Sequence, residues 1–170
     1  MAAVGLLLAA GSGEPVSAAQ RGQPSAAHPS FLRWSAKTKT AFLTLIVASN
    51  QDNGGFNFDG SSDGGMIVKV PLGARVVGAL PNREAVPGSF LITAYAKRTS
   101  PSPPAAVTGA FSPDPTAGTV ADKVEKAKFT AAKAGRYAIV CAVPGHALAG
   151  QWATLDVVRA APRATITLRR

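Results

Sequence analysis

The chain has 170 residues, of which 46% are hydrophobic and 16% charged, and it carries a net charge of +9. That composition supplies one packed domain and is too apolar for wholesale disorder. A single Cys and two His exclude an intrachain disulfide framework and any metal site built from several histidines.

Residues 1–19 open with a short apolar run, Ala2 to Ala10, followed by a polar stretch and small residues up to Ala19. This pattern predicts a secretory leader cut after Ala18 or Ala19, although no Lys or Arg precedes the run. No Cys lies near the cut, so nothing there accepts a lipid, and the expected location is periplasmic or secreted. Elsewhere no segment approaches the roughly 20 apolar residues that span a bilayer. Residues 20–30 read as a polar, Pro-containing linker, and the domain is expected over residues 31–158.

Within it, short apolar runs alternate with Gly and Pro breakers. Ala41 to Ala48, Met66 to Val70, Arg75 to Leu80, Ser89 to Tyr95, Val124 to Thr130, Arg136 to Cys141 and Gln151 to Val158 are rich in Val, Ile, Thr and aromatics. No long stretch holds a 3.6-residue period, so the expected fold is all-β, a sandwich or small barrel. Ser100 to Thr119 contains five prolines and reads as a long surface connection carrying the chain between sheets in Greek-key fashion. Residues 159–170 form a basic tail, within which Thr165 to Leu168 can pair as a short edge strand.

Four of the 18 Lys and Arg lie in that tail, leaving 14 bases against 9 acids up to Val158. A basic body suits an acidic partner or a membrane surface, without an anchor. Nucleic acid is not expected, because no basic run is interleaved with aromatics and no binding motif appears.

The chemistry concentrates between Cys141 and Gln151. A Cys ending a strand, a Pro144-Gly145 turn, His146, and Gln151 entering the next strand would bring three donors to one end of a sandwich. Thiolate and imidazole on a short loop suit copper, whose blue sites use one Cys, two His and a weak axial Met or Gln. Zinc accepts the same donors, but Cu(II) binds comparable sites more tightly. The plain alternative is a buried apolar Cys beside a solvated loop His.

Four blocks carry a resemblance to a known family: FLRWSA from Phe31, GGFNFDG at 54–60, VPLG at 70–73, and FTAAKAGRYAIVCAVPGHALAGQW at 129–152. Together they resemble the sulfocyanin-like branch of the blue copper proteins, the last block most specifically. The resemblance implies a cupredoxin-like Greek-key β-sandwich, export, and one copper ion that shuttles single electrons between respiratory or oxidase-type partners. Cys141 would be the thiolate ligand, His146 the imidazole ligand, and Gln151 would stand at the axial position usually held by Met.

One departure stands out. The family's first His follows a Pro, and here the matching residues are Pro87-Gly88-Ser89. The expected consequence is a gap beside Gly88 that water, an anion or a small ligand enters, while the axial oxygen of Gln151 favours Cu(II) relative to Met. His28, in the linker, and Glu84, in a turn, are the candidates to fill the gap, and both read more simply as solvated residues. Tyr137 is expected to pin its strand through its hydroxyl, and Trp34 and Trp152 to pack.

Two functional classes follow. One is a copper protein of single-electron transfer with a modified site; the alternative is a copper-free cupredoxin-fold binding or structural module. An enzyme is not expected, since neither paired carboxylates nor a nucleophile motif occurs.

Overall fold

The computed structural model describes residues 31–169, and the leader, the linker with His28, and Arg170 lie outside the described residues. Two sheets face each other. The first orders β1 (Leu32–Ser35), β2 (Thr40–Thr44), β4 (Arg75–Asn82) and β6 (Lys123–Thr130) as β1-β2-β4-β6. The second orders β5 (Leu91–Ala94), β7 (Gly135–Val140), β8 (Trp152–Val158), β3 (Met66–Pro71) and β9 (Thr165–Leu168) as β5-β7-β8-β3-β9. Pairing is antiparallel except for β2 with β4 and β3 with β8, which are parallel and need long crossovers. The result is the Greek-key sandwich expected from the sequence.

Alternation along the strands explains the layering. In β6, Ala127 and Phe129 are buried while Lys126 and Lys128 face water. The core between the sheets takes Leu43, Val76, Leu80 and Phe129 from the first and Val68, Val70, Ile92, Ile139 and Leu155 from the second. Gly78 lies against the Phe90 ring, which an added Cβ would meet at ordinary contact distance, 3.4 Å. A smaller cluster, comprising Leu91, Ala138, Val140, Ala142, Ala147 and Trp152, covers the outer face of the second sheet near the Cys141 end.

Three details differ from the expectation. The run at 41–48 is not one strand: β2 ends at Thr44, and Val47 makes only isolated bridges to Phe58 and Asn82. The chain turns away because Ala48 adopts φ 49°, and Asp59 bonds Ile46 through both its main chain and its carboxylate. The edge strand β1 preceded the first predicted run and was missed, being half-exposed and only four residues long. The Pro-rich connection does join the sheets, but it is stitched to the second one: Ile92 donates to the Ala110 carbonyl, and Ser112 to that of Phe90. Thr165–Leu168 pairs with β3, and Tyr137 donates its hydroxyl to the Lys133 carbonyl at 3.2 Å. Among the described residues no helix is long and apolar enough to cross a membrane.

Candidate metal centre

Strands β7 and β8 are antiparallel neighbours, and their last paired residues are Val140 and Trp152. One step further along that ladder, Cys141 and Gln151 oppose each other, and the Cys141 amide donates to the Gln151 carbonyl at 3.0 Å. Between them the loop closes on itself: the His146 amide donates to Val143, the Ala149 amide to Gly145, and the Gln151 amide to His146. Gly145 and Gly150, at φ 86° and 99°, supply the left-handed turns this compact path requires. The loop therefore folds the His146 side chain back over the strand ends.

The three donors predicted from the sequence meet. Cys141 Sγ lies 3.5 Å from His146 Nδ1, which lies 3.1 Å from Gln151 Oε1. An ion with bonds of roughly 2.0–2.3 Å to nitrogen and sulfur can touch both strong donors at that spacing. Gln151 is oriented from behind, its Nε2 donating to the Asn57 carbonyl at 3.2 Å. The Phe56 ring packs edge-on against the imidazole, with centroids 4.9 Å apart.

Ser89 completes the surroundings of the sulfur. Its hydroxyl accepts from the Ala142 amide at 2.7 Å and donates to Cys141 Sγ at 3.7 Å. Burial pushes the Cys141 thiol up from its ordinary pKa, while the Ser89 hydroxyl and the amides of Val143 and Ser89 pull it back down. Burial also lowers the His146 pKa, partly offset by Gln151, so the imidazole is held in the neutral, ligating form.

The other candidates are elsewhere. Glu84 is exposed in the turn after β4, its amide bonded to Asn82 Oδ1. Among the described residues no three of His, Cys, Asp and Glu cluster to hold an ion. The expected opening beside Gly88 is closed on the side where a side chain would project: a Cβ there would stand 2.4 Å and 2.5 Å from the two methyl carbons of Val47. Sequence reasoning missed Ser89, Asn57, Phe56 and Val47. Asn57 and Phe56 lie in the 54–60 block and Ser89 follows Gly88, but only the fold brings them to the loop.

A Greek-key sandwich with a thiolate and an imidazole on the loop at one end is a cupredoxin, and the comparisons agree. A family model described as the Sulfocyanin (SoxE) domain matches residues 27–166, and the chain belongs to the sulfocyanin family. It is 31% identical over 130 residues to a sulfocyanin of Sulfolobus acidocaldarius, covering 72% of this chain. The chain spans 65% of that relative's length. Among solved structures it is similar to a crystal structure of substituted rusticyanin, at a TM-score of 0.53 and 20% identity, covering 75% of this chain and 86% of that one. Reduced rusticyanin solved by NMR matches at a TM-score of 0.51 and 25% identity, covering 71% and 77% respectively. Family and fold together make the chain a sulfocyanin-like cupredoxin.

Proposed function

We propose that this is an exported copper protein of single-electron transfer, with its ion held by the Cys141 thiolate, the His146 imidazole and, weakly, the Gln151 amide oxygen. The observation that carries this reading is the spacing of the two strong donors, 3.5 Å apart on one short loop. Copper supplies the one-electron couple when bound. The protein supplies the rest: Ser89 steadies the sulfur with a hydrogen bond, and Asn57 turns the amide so that its oxygen faces the imidazole. These fixed dipoles limit rearrangement around the ion.

His146 is half-buried on a loop whose Pro144 and Leu148 are exposed, Leu148 by 60%. That apolar rim is the natural docking surface for a redox partner, and the basic body favours an acidic partner of respiratory or oxidase type. Export follows from the leader pattern: the mature protein should begin near Gln20 in periplasm or medium. An intact Met1 on a cytosolic protein would contradict export without touching the site.

The test is a titration of purified protein with Cu(I) and with Cu(II), with bound copper counted by elemental analysis after desalting and its state read by absorption and electron paramagnetic resonance. Stoichiometric binding lost in both Cys141→Ser and His146→Ala supports this reading. Absence of binding at micromolar copper would leave the copper-free module as the better account.

A further inference from the structure

Blue sites use one thiolate, two imidazoles and a weak axial donor, and among the described residues this chain has a single His. Residue 88 directly precedes Ser89, whose hydroxyl rests on the sulfur, and it is the position at which the resemblance expects the missing imidazole. It is Gly, and its backbone is outside the left-handed region, so conformation does not demand glycine there. Space does. A Cβ on residue 88 would meet Val47 Cγ1 at 2.4 Å, Cγ2 at 2.5 Å and Cβ at 3.0 Å.

Neither partner can step aside. Gly88 exchanges both main-chain hydrogen bonds with Thr119, whose carbonyl also accepts Asn82 Nδ2 at 2.7 Å. Gly118 closes the far side, its Cβ position being 3.1 Å from the Gly88 nitrogen and 2.7 Å from a Val143 methyl. Val47 donates to the Pro81 carbonyl at 3.1 Å, bridges Phe58 and Asn82, and is fully buried in the main core. The branched side chain of Val47, which has no flexible end to swing away, occupies the volume. Hydrocarbon therefore fills the space that any side chain at residue 88 would need.

We propose that the centre is built for monovalent copper: the Val47 plug over Gly88 leaves a buried thiolate, one imidazole and a weak amide oxygen, a soft set of low coordination number. The inference rests on the copper reading above. Thiolate ligands select Cu(I), whereas Cu(II) prefers a tetragonal set of nitrogen and oxygen donors, of which the protein supplies too few. The centre should rest in the reduced, colourless state, contrary to the preference for Cu(II) expected from the Gln151 oxygen alone.

The experiment uses the full mature chain. Anaerobic titration with Cu(I) against bicinchoninate should show one tightly held ion per chain, loosened in Cys141→Ser by more than the about 100-fold that changes outside the ligand shell cause. Aerobic Cu(II) should give the wild type no intense thiolate-to-copper band. In the metal-free protein, Gly88→His should lower Tm by about 5 °C or more through overpacking, and Val47→Ala in the same chain should recover most of that fall. The double variant should then give the band with Cu(II). An intense band on the wild type would overturn the preference while leaving the copper reading standing. Failure to hold either oxidation state would overturn both, and an unchanged Tm in Gly88→His would overturn the plug.

Discussion

The side-chain amide of Gln151 bridges two partners of opposite kind: its Nε2 donates to the Asn57 carbonyl at 3.2 Å, and its Oε1 faces His146 Nδ1 at 3.1 Å. Because a carbonyl can only accept, Asn57 dictates which end of the amide points at the centre. The Asn57 carbonyl also accepts from the Ala48 amide at 3.1 Å, so it keeps a partner when Gln151 is replaced. Gln151→Met should therefore fold with a stability change within about 1.5 kcal/mol. In the copper-loaded protein it should raise the potential, since a thioether favours Cu(I) over an amide oxygen. Thermal melting of the metal-free form and voltammetry of the loaded form check the two halves separately.

Ser89 presents the reverse case. It is buried, and its hydroxyl is the acceptor for the Ala142 amide at 2.7 Å. Ser89→Ala leaves that buried N–H without its partner, at a cost of about 1–3 kcal/mol. It also removes a hydrogen bond that holds the Cys141 thiol down, so the thiol pKa should climb further above its already raised position. Denaturant melts give the first quantity, and the ultraviolet absorbance of thiolate against pH gives the second. A variant that melts like the wild type would show that the Ala142 amide finds another acceptor.

Asp59 makes stability depend on pH. Its Oδ1 accepts from the Ile46 amide at 2.9 Å, its Oδ2 is buried without a hydrogen-bond partner, and Asp52 and Arg169 line the same cleft. Burial raises its pKa from 3.8 to about 7, against the opposing pull of the Ile46 amide. The folded protein thus holds this proton more tightly than the unfolded chain. Stability contributed by the protonated form is fully present below about pH 4 and is lost as pH rises through about 7. The loss attributable to this group is at most about 4 kcal/mol, from about 1.4 kcal/mol per unit. Asp59→Asn, which retains an acceptor for Ile46, should flatten the fall between about pH 4 and pH 7. Equal slopes for variant and wild type in urea melts would assign the pH dependence elsewhere.

The sandwich was legible because its strands are short, β-branched and cut by Gly and Pro, as at Met66 to Val70 and Arg136 to Cys141. The loop donors were legible for a related reason: Cys141 and Gln151 flank one hairpin-like connection, so sequence spacing alone places them opposite each other. What lay beyond reach came from remote segments. Asn57 reaches Gln151 across 94 residues and Ser89 reaches Cys141 across 52, and periodicity carries no information on such contacts. Gly88 was visible as a missing imidazole, but reading it as an opening assumed that the rest of the core leaves a vacancy. Val47 does not, because beyond Thr44 the chain goes on bonding along β4, Leu45 to the Ala79 carbonyl and Val47 to that of Pro81, which seats Val47 against Gly88.

The turn before β3 offers a test of how tightly the far side of the metal loop is packed. The Gly64 amide donates to the Trp152 carbonyl at 3.0 Å, and the preceding Asp63 amide donates to Gly150 at 2.9 Å, so this turn clamps the end of the loop. Gly64 sits at φ 71°, and an added Cβ would stand 2.3 Å and 2.5 Å from Trp152 ring carbons. Gly73 is the matched control, at φ 80° with nothing within 4 Å of its Cβ position. Gly73→Ala should lose only the about 1–2 kcal/mol of a left-handed non-glycine residue. Gly64→Ala should lose that and a further about 1–3 kcal/mol of overpacking. Trp152 directly follows Gln151, so the larger loss should come with a shift in tryptophan fluorescence and with weaker copper binding, neither of which Gly73→Ala should show. Equal destabilisation by the two substitutions would mean that the Trp152 ring moves freely and that the turn does not brace the loop.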